Sequence, residues 1–141
     1  MFCLEKNLGT DLNIQQVRFA RPTDQLEEIS RFYCLGLGFE IVADFYDHAG
    51  FDGIMLSMPN ASYHLEFTHE HGTTIGRATN RDNLMVFYIP DGNQCQSVIN
   101  RMISSGYQPV QAHNPYWDKN GVTFEDPDGY CVVVHKSIWQ P

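Results

Sequence analysis

The side chains best suited to chemistry fall in a few short segments. Tyr63-His64-Leu65-Glu66-Phe67-Thr68 alternates apolar and polar residues, with His69 and His71 just beyond. Successive side chains of a strand leave by opposite faces. Tyr63, Leu65 and Phe67 are therefore expected to meet a helix, and His64, Glu66 and Thr68 to share the other face. Gln16 to Ala20 alternates in the same way. Val17 and Phe19 go to the helix, and Gln16, Arg18 and Ala20 join the face of Glu66. An arginine beside a glutamate supports two readings. One is a structural ion pair between neighbouring strands. The other is a ligand anchor, in which the planar guanidinium grips a carboxylate or phosphonate bidentately while Glu66 holds a donor.

The remaining candidates are of mixed kinds. The spacing of His64, His69 and His71 invites a metal reading, but His69 and His71, beside Glu70 and Gly72, have the surroundings of a solvated strand end. His135 shares a face with Val133 and would, near His64 and Glu66, complete a displaced metal site; a sheet histidine is the plainer reading. Asn114-Pro115-Tyr116-Trp117 puts two large aromatic residues in a turn-rich loop. There they either wall a ligand pocket or, in the case of Trp117, cover the open end of a sheet. Met85 and Phe87 are expected in strand core, although a Met beside aromatic residues would also suit an apolar pocket.

The elements that position these residues emerge from an internal repeat. Gly38-Phe39 maps onto Gly106-Tyr107, Gly53 onto Gly121 and Pro59-Asn60 onto Pro127-Asp128, each displaced by 68 positions. Each half reads as a strand, a helix and three further strands. In the first half these are Val17 to Ala20, a helix capped by Asp24 with Glu27 and carrying Leu26, Ile29 and Tyr33, then Glu40 to Phe45, Gly53 to Met58 and Tyr63 to Thr68. The second half has Leu84 to Ile89, a helix capped by Asn93 with Gln96 and carrying Cys95, Val98, Ile99 and Met102, then Pro109 to Ala112, Gly121 to Glu125 and Tyr130 to Lys136. Residues 14–69 form one module, 70–82 a polar linker and 83–137 the second module, within one domain. Three successive strands without a helix argue for α+β with mixed sheets.

Composition narrows the function classes. A net charge of −8, with Lys and Arg scattered, argues against nucleic acid. No apolar run approaches the roughly 20 residues that span a bilayer. Met1 to Leu12 lacks the features of a secretory signal, so a cytoplasmic location is expected, with the segment a loose tail or a partner-contacting arm. Cys3, Cys34, Cys95 and Cys131 lack metal or redox spacing and read as reduced thiols.

Arg31-Phe32-Tyr33, Leu37-Gly38-Phe39 and Asp126-Pro127-Asp128-Gly129-Tyr130 together resemble the vicinal oxygen chelate superfamily, which includes glyoxalase I and bleomycin-resistance proteins, from about Val17 to Lys136. The resemblance implies two βαβββ modules whose curled mixed sheets enclose a central cleft, with helices on the outer faces. It also implies four metal-ligand positions, on the first, fourth, fifth and eighth strands. These fall on Arg18, Glu66, Asn83 or Leu84, and Val133. Only Glu66 is an acceptable ligand.

The expected function is therefore metal-free small-molecule binding without a cofactor, with Arg18, Glu66, His64, Asn114, Tyr116 and Trp117 at the site and a homodimer as the assembly. A metal-dependent lyase, isomerase or resistance transferase with shifted ligands is the alternative. A structural or interaction module whose cleft is filled by its own side chains is the third reading.

Overall fold

Each half of the sequence folds into a four-stranded mixed sheet with a helix against it, in a computed structural model that describes residues 13–141. The expectations placed on Met1 to Leu12 and on Cys3 lie outside the described residues. Module 1 comprises β1 (Val17–Pro22), α1 (Leu26–Ser30), a π-helical turn (Arg31–Gly36), β2 (Glu40–His48), β3 (Phe51–Ser57) and β4 (Tyr63–Glu70). Its strands lie in the order β1-β4-β3-β2, with β1 parallel to β4 and the other pairs antiparallel. Module 2 repeats this as β5 (Leu84–Tyr88), α2 (Gly92–Ser104), β6 (Pro109–Val110), β7 (Gly121–Glu125) and β8 (Cys131–His135), in the order β5-β8-β7-β6. A 3₁₀ turn, Pro115–Asp118, precedes β7. The fold is α+β, as the pattern of three helix-free strands implied.

One core joins the modules. Ile29, Phe32 and Tyr33 from α1 and its continuation meet Leu65 and Phe67 of β4, and the cluster continues through Met102, Phe124, Val132 and Val134 of module 2. Full burial of each such side chain is worth about 1.5–3 kcal/mol. The helices approach closely because Gly36 and Gly38 lack side chains. A Cβ on Gly36 would run into Met102, and one on Gly38, which also has φ +91°, into the guanidinium of Arg101. Arg101 uses that space to donate to the carbonyls of Gly36 at 2.8 Å and Leu37 at 2.7 Å.

The turn Asp126-Pro127-Asp128-Gly129 serves the same junction. Buried Asp126 accepts from the Tyr33 hydroxyl at 2.7 Å and pairs with Arg21 at 3.4 Å, while its other oxygen accepts from the backbone N–H groups of Asp128 and Tyr130. Gln25 donates to Asp128 and to the carbonyl of Pro127, both at 2.9 Å. Burial raises the Asp126 carboxyl above its ordinary range against these favourable contacts, and burial followed by the neighbouring Asp126 charge pushes the Tyr33 hydroxyl well up.

Several local expectations are corrected. Asp24 does not cap α1: its carboxylate accepts from Ile75 and Gly76 of the linker, which hold it below its usual range, and Gln25 occupies the cap position without a side-chain bond. Asp91, not Asn93, caps α2, accepting from the N–H groups of Asn93 and Gln94 at 3.0 Å. Val17 and Phe19 take the expected face beside Tyr63 and Leu65 but remain 39% and 57% exposed, because α1 lies over β3 and β4 and not over β1. The repeat is also less regular than its glycines suggest. Gly53 pairs with Thr68 but Gly121 with His135, since the turn after Pro59 is one residue longer than the turn after Pro127. Glu66 is thereby equivalent to Val133, and Arg18 to Leu84.

Candidate functional site

The parallel pairing of β1 with β4 puts Arg18 directly beside His64. The Arg18 Nε donates to His64 Nε2 at 2.7 Å, and its Nη1 donates to Glu66 Oε2 at 3.1 Å. The Gln16 amide lies 3.4 Å from His64 Nδ1. An imidazole that accepts at Nε2 carries its proton on Nδ1, so Gln16 must present its carbonyl oxygen there; hydrogen bonding assigns this orientation. The Arg18 side chain is 48% exposed and that of Glu66 14%. An approaching molecule therefore meets the guanidinium before the carboxylate.

Two hollows meet at Arg18. The smaller, about 520 Å³, lies on the face turned away from α1 and combines Gln16, Arg18 and His64 with Val42, Met55 and Ser57. Met55 is there because it pairs with Glu66 and shares its face. A little further along, the Phe45 ring comes against Gly53, where a Cβ would run into it. The larger hollow, about 1540 Å³, runs between the edge strands β1 and β5 and is mainly apolar, with Phe19, Phe39, Met85, Phe87 and Ile89 among its walls. The smaller hollow holds the convergent polar groups. Volume alone does not identify the site.

On module 2 the equivalent face is closed. Val133 is fully buried, Thr123 and His135 nearly so. The 3₁₀ turn supplies the cover: a Cβ on Gly121 would meet the Trp117 carbonyl at 2.8 Å, and the Trp117 ring lies edge-on to His135 at 6.1 Å. Asn114 caps this turn by accepting from the Tyr116 N–H at 3.0 Å, and Tyr116, 61% exposed, packs edge-on against Trp117. The structure thus brings Arg18, His64 and Glu66 together on module 1, and Asn114, Tyr116 and Trp117 together on module 2. Trp117 covers the end of the second sheet. The lining residues Gln16, Val42 and Met55 were not among the expected site residues; strand alternation carried the signal for Gln16 and Met55, whereas a bulge between Ile41 and Ala43 obscured Val42.

The superfamily's metal does not fit this donor set. Of the four equivalent positions, Arg18, Leu84 and Val133 offer a cation and two aliphatic groups, and Glu66 alone is a donor. Nor is a displaced site assembled: among the described residues no three His, Cys, Asp or Glu side chains are placed to share a metal ion. The His135 Nδ1 accepts from Ser137 at 3.2 Å, and its ring packs against Tyr88. His69 bonds the Thr23 carbonyl, and His71 bonds Asp52 at 2.8 Å, which holds the imidazole above its ordinary value. Cys34, Cys95 and Cys131 are free thiols, each pushed up by burial, which disfavours the thiolate.

Paired βαβββ modules with two mixed sheets, together with the structural likenesses below, place the chain in the vicinal oxygen chelate superfamily. Within it, the chain belongs to the YycE-like family: the model of the YycE-like N-terminal domain matches residues 17–68 and that of the C-terminal domain residues 82–136. The uncharacterized protein YycE of Bacillus subtilis strain 168 is 44% identical over 122 residues, covering 86% of this chain and 88% of that protein. A crystal structure of a YycE protein of unknown function from Bacillus subtilis, described as a candidate glyoxalase/fosfomycin-resistance protein, superposes with a TM-score of 0.82 at 43% identity, covering 89% of this chain and 92% of that one. The trypanothione-dependent glyoxalase I of Leishmania major gives a TM-score of 0.66 at 15% identity over 86% of this chain and 85% of that one, a likeness of fold alone. No helix among the described residues is long and apolar enough to cross a membrane.

Proposed function

We propose that this chain binds a small organic molecule on the open face of module 1 without a resident metal, with Arg18 and Glu66 as polar anchors and Val42 and Met55 as apolar wall. The observation that carries the reading is the half-exposed guanidinium of Arg18, held by Glu66 at 3.1 Å, at the position where the superfamily's enzymes place their first metal ligand. A fixed positive charge repels a divalent cation and attracts an oxyanion, so the substitution exchanges one kind of electrophilic centre for another. Tyr116 and Trp117 take no part in this face; they belong to the cover of module 2.

A second copy of the chain is the partner we propose. Support comes from β1 and β5, which lie at sheet edges without a further strand partner among the described residues, and from Phe19, more than half exposed on β1. Elemental analysis of protein purified without chelator tests the metal-free reading. Less than about a tenth of an ion of zinc, nickel or manganese per chain is expected; close to one tightly held ion would favour the lyase or transferase alternative.

A further inference from the structure

Two of the five N–H donors of Arg18 are engaged, so a ligand that grips the guanidinium bidentately along an occupied edge must displace a partner, and the geometry identifies which one yields. Arg18 has two edges that can grip an oxyanion bidentately, Nε with Nη2 and Nη1 with Nη2. His64 occupies half of the first at 2.7 Å, and Glu66 holds Nη1 at 3.1 Å. Releasing Glu66 would leave a carboxylate, only 14% exposed, without its cation and close to the arriving negative charge. Releasing His64 sacrifices one hydrogen bond to an uncharged acceptor, and the ring keeps the Gln16 amide, 3.4 Å from Nδ1, as a partner.

We propose that His64 is a displaceable latch: a ligand carboxylate or phosphonate takes the Nε–Nη2 edge of Arg18 in place of the imidazole. Glu66 keeps Nη1 throughout and fixes the plane of the guanidinium. The apolar remainder of the ligand lies along Val42 and Met55 in the same hollow. The latch rests on the ligand-anchor reading of this face and adds that His64 competes with the ligand instead of contacting it. It also sets specificity. A full negative charge outcompetes a neutral imidazole for Arg18, whereas an amide or alcohol oxygen does not.

Phenylphosphonate is a suitable probe, with benzamide as its uncharged counterpart. Binding is measured by calorimetry and by the Arg18 Nε–H resonance in nitrogen-15 spectra, for the full-length chain and for His64→Ala, His64→Gln and Arg18→Leu. The latch predicts that His64→Ala binds phenylphosphonate about tenfold more tightly than the parent. His64→Gln, which restores an uncharged acceptor, returns towards the parent affinity, Arg18→Leu does not bind, and benzamide leaves the Nε–H resonance unmoved. Equal or weaker binding by His64→Ala, with Arg18→Leu still inactive, would overturn the latch and leave the anchor standing. If Arg18→Leu matched the parent, or neither bound at all, the anchor reading would fail and the latch with it.

Discussion

The two modules carry equivalent strands, yet they present opposite surfaces. On β4, Glu66 reaches a half-exposed arginine; on β8, the equivalent Val133 is fully buried. Both sheets have a glycine at the same point of the third strand, Gly53 and Gly121, and each glycine accepts a close neighbour. In module 1 that neighbour is Phe45, a side chain of the same sheet, and the face beyond it stays open. In module 2 the neighbours are the Val133 side chain of the same sheet and, in addition, the backbone of Trp117, from a 3₁₀ turn that follows the two-residue β6. The helix side of each sheet is constrained by a shared core and by the Asp126 junction. The opposite side is not, so one copy was free to close while the other kept a charged pair.

The sharpest way to break this comparison is to exchange its two ends. Val133→Glu places a carboxylate in a fully buried position whose strand partner, Thr123, offers one hydroxyl and no cation, and should cost about 3 kcal/mol in chemical denaturation. Glu66→Val should cost under about 1 kcal/mol, because the Arg18 it leaves behind remains solvated. Equal costs at the two positions would mean that the faces differ less than their burial implies.

Next in size is the junction that both faces depend on. Asp126→Asn replaces one acceptor oxygen by an NH₂ that must face either Tyr33 and Arg21 or two backbone N–H groups, a loss of about 2–4 kcal/mol. Its pH dependence has a defined sign. Burial raises the folded-state value of Asp126, so the folded chain holds this proton more tightly than the unfolded chain, whose value is about 3.9. The group's contribution therefore falls as pH rises through that window and grows as pH falls through it. The stability gap between the parent and Asp126→Asn should be narrowest at neutral pH and widen on acidification, as read from denaturation midpoints in a pH series.

Most of the architecture was legible because it is written in short-range patterns. Alternation along Tyr63 to Thr68 gave the correct faces for Leu65 and Glu66, and the paired glycines exposed the repeat. What escaped depends on contacts distant in sequence. Asp24 has the residue type of a helix cap, but the linker's Ile75 and Gly76 claim its carboxylate. Phe19 has the pattern of a core residue, but only the position of α1 determines that it stays 57% exposed among the described residues. Asn114, Tyr116 and Trp117 read equally well as pocket wall or sheet cover, since the distinction lies in where the turn folds back. At the site, the Arg18–Glu66 contact followed from strand alternation. The engagement of His64 on Nε did not, because it depends on the register of parallel strands joined through a helix and two further strands.

The smallest expected stability effect belongs to the pair itself, and there the central claim meets its most direct measurement: thermal denaturation and phenylphosphonate titration of Arg18→Leu, Glu66→Gln and the double variant. If the open face of module 1 is a ligand site, Glu66→Gln lowers the melting temperature by less than about 5 °C, Arg18→Leu lowers it more because it leaves a carboxylate that is only 14% exposed without its cation, and Arg18→Leu abolishes binding. Large melting losses in both single variants, recovered in the double variant with probe affinity unchanged, would show that the pair serves the fold and that the ligand site lies elsewhere.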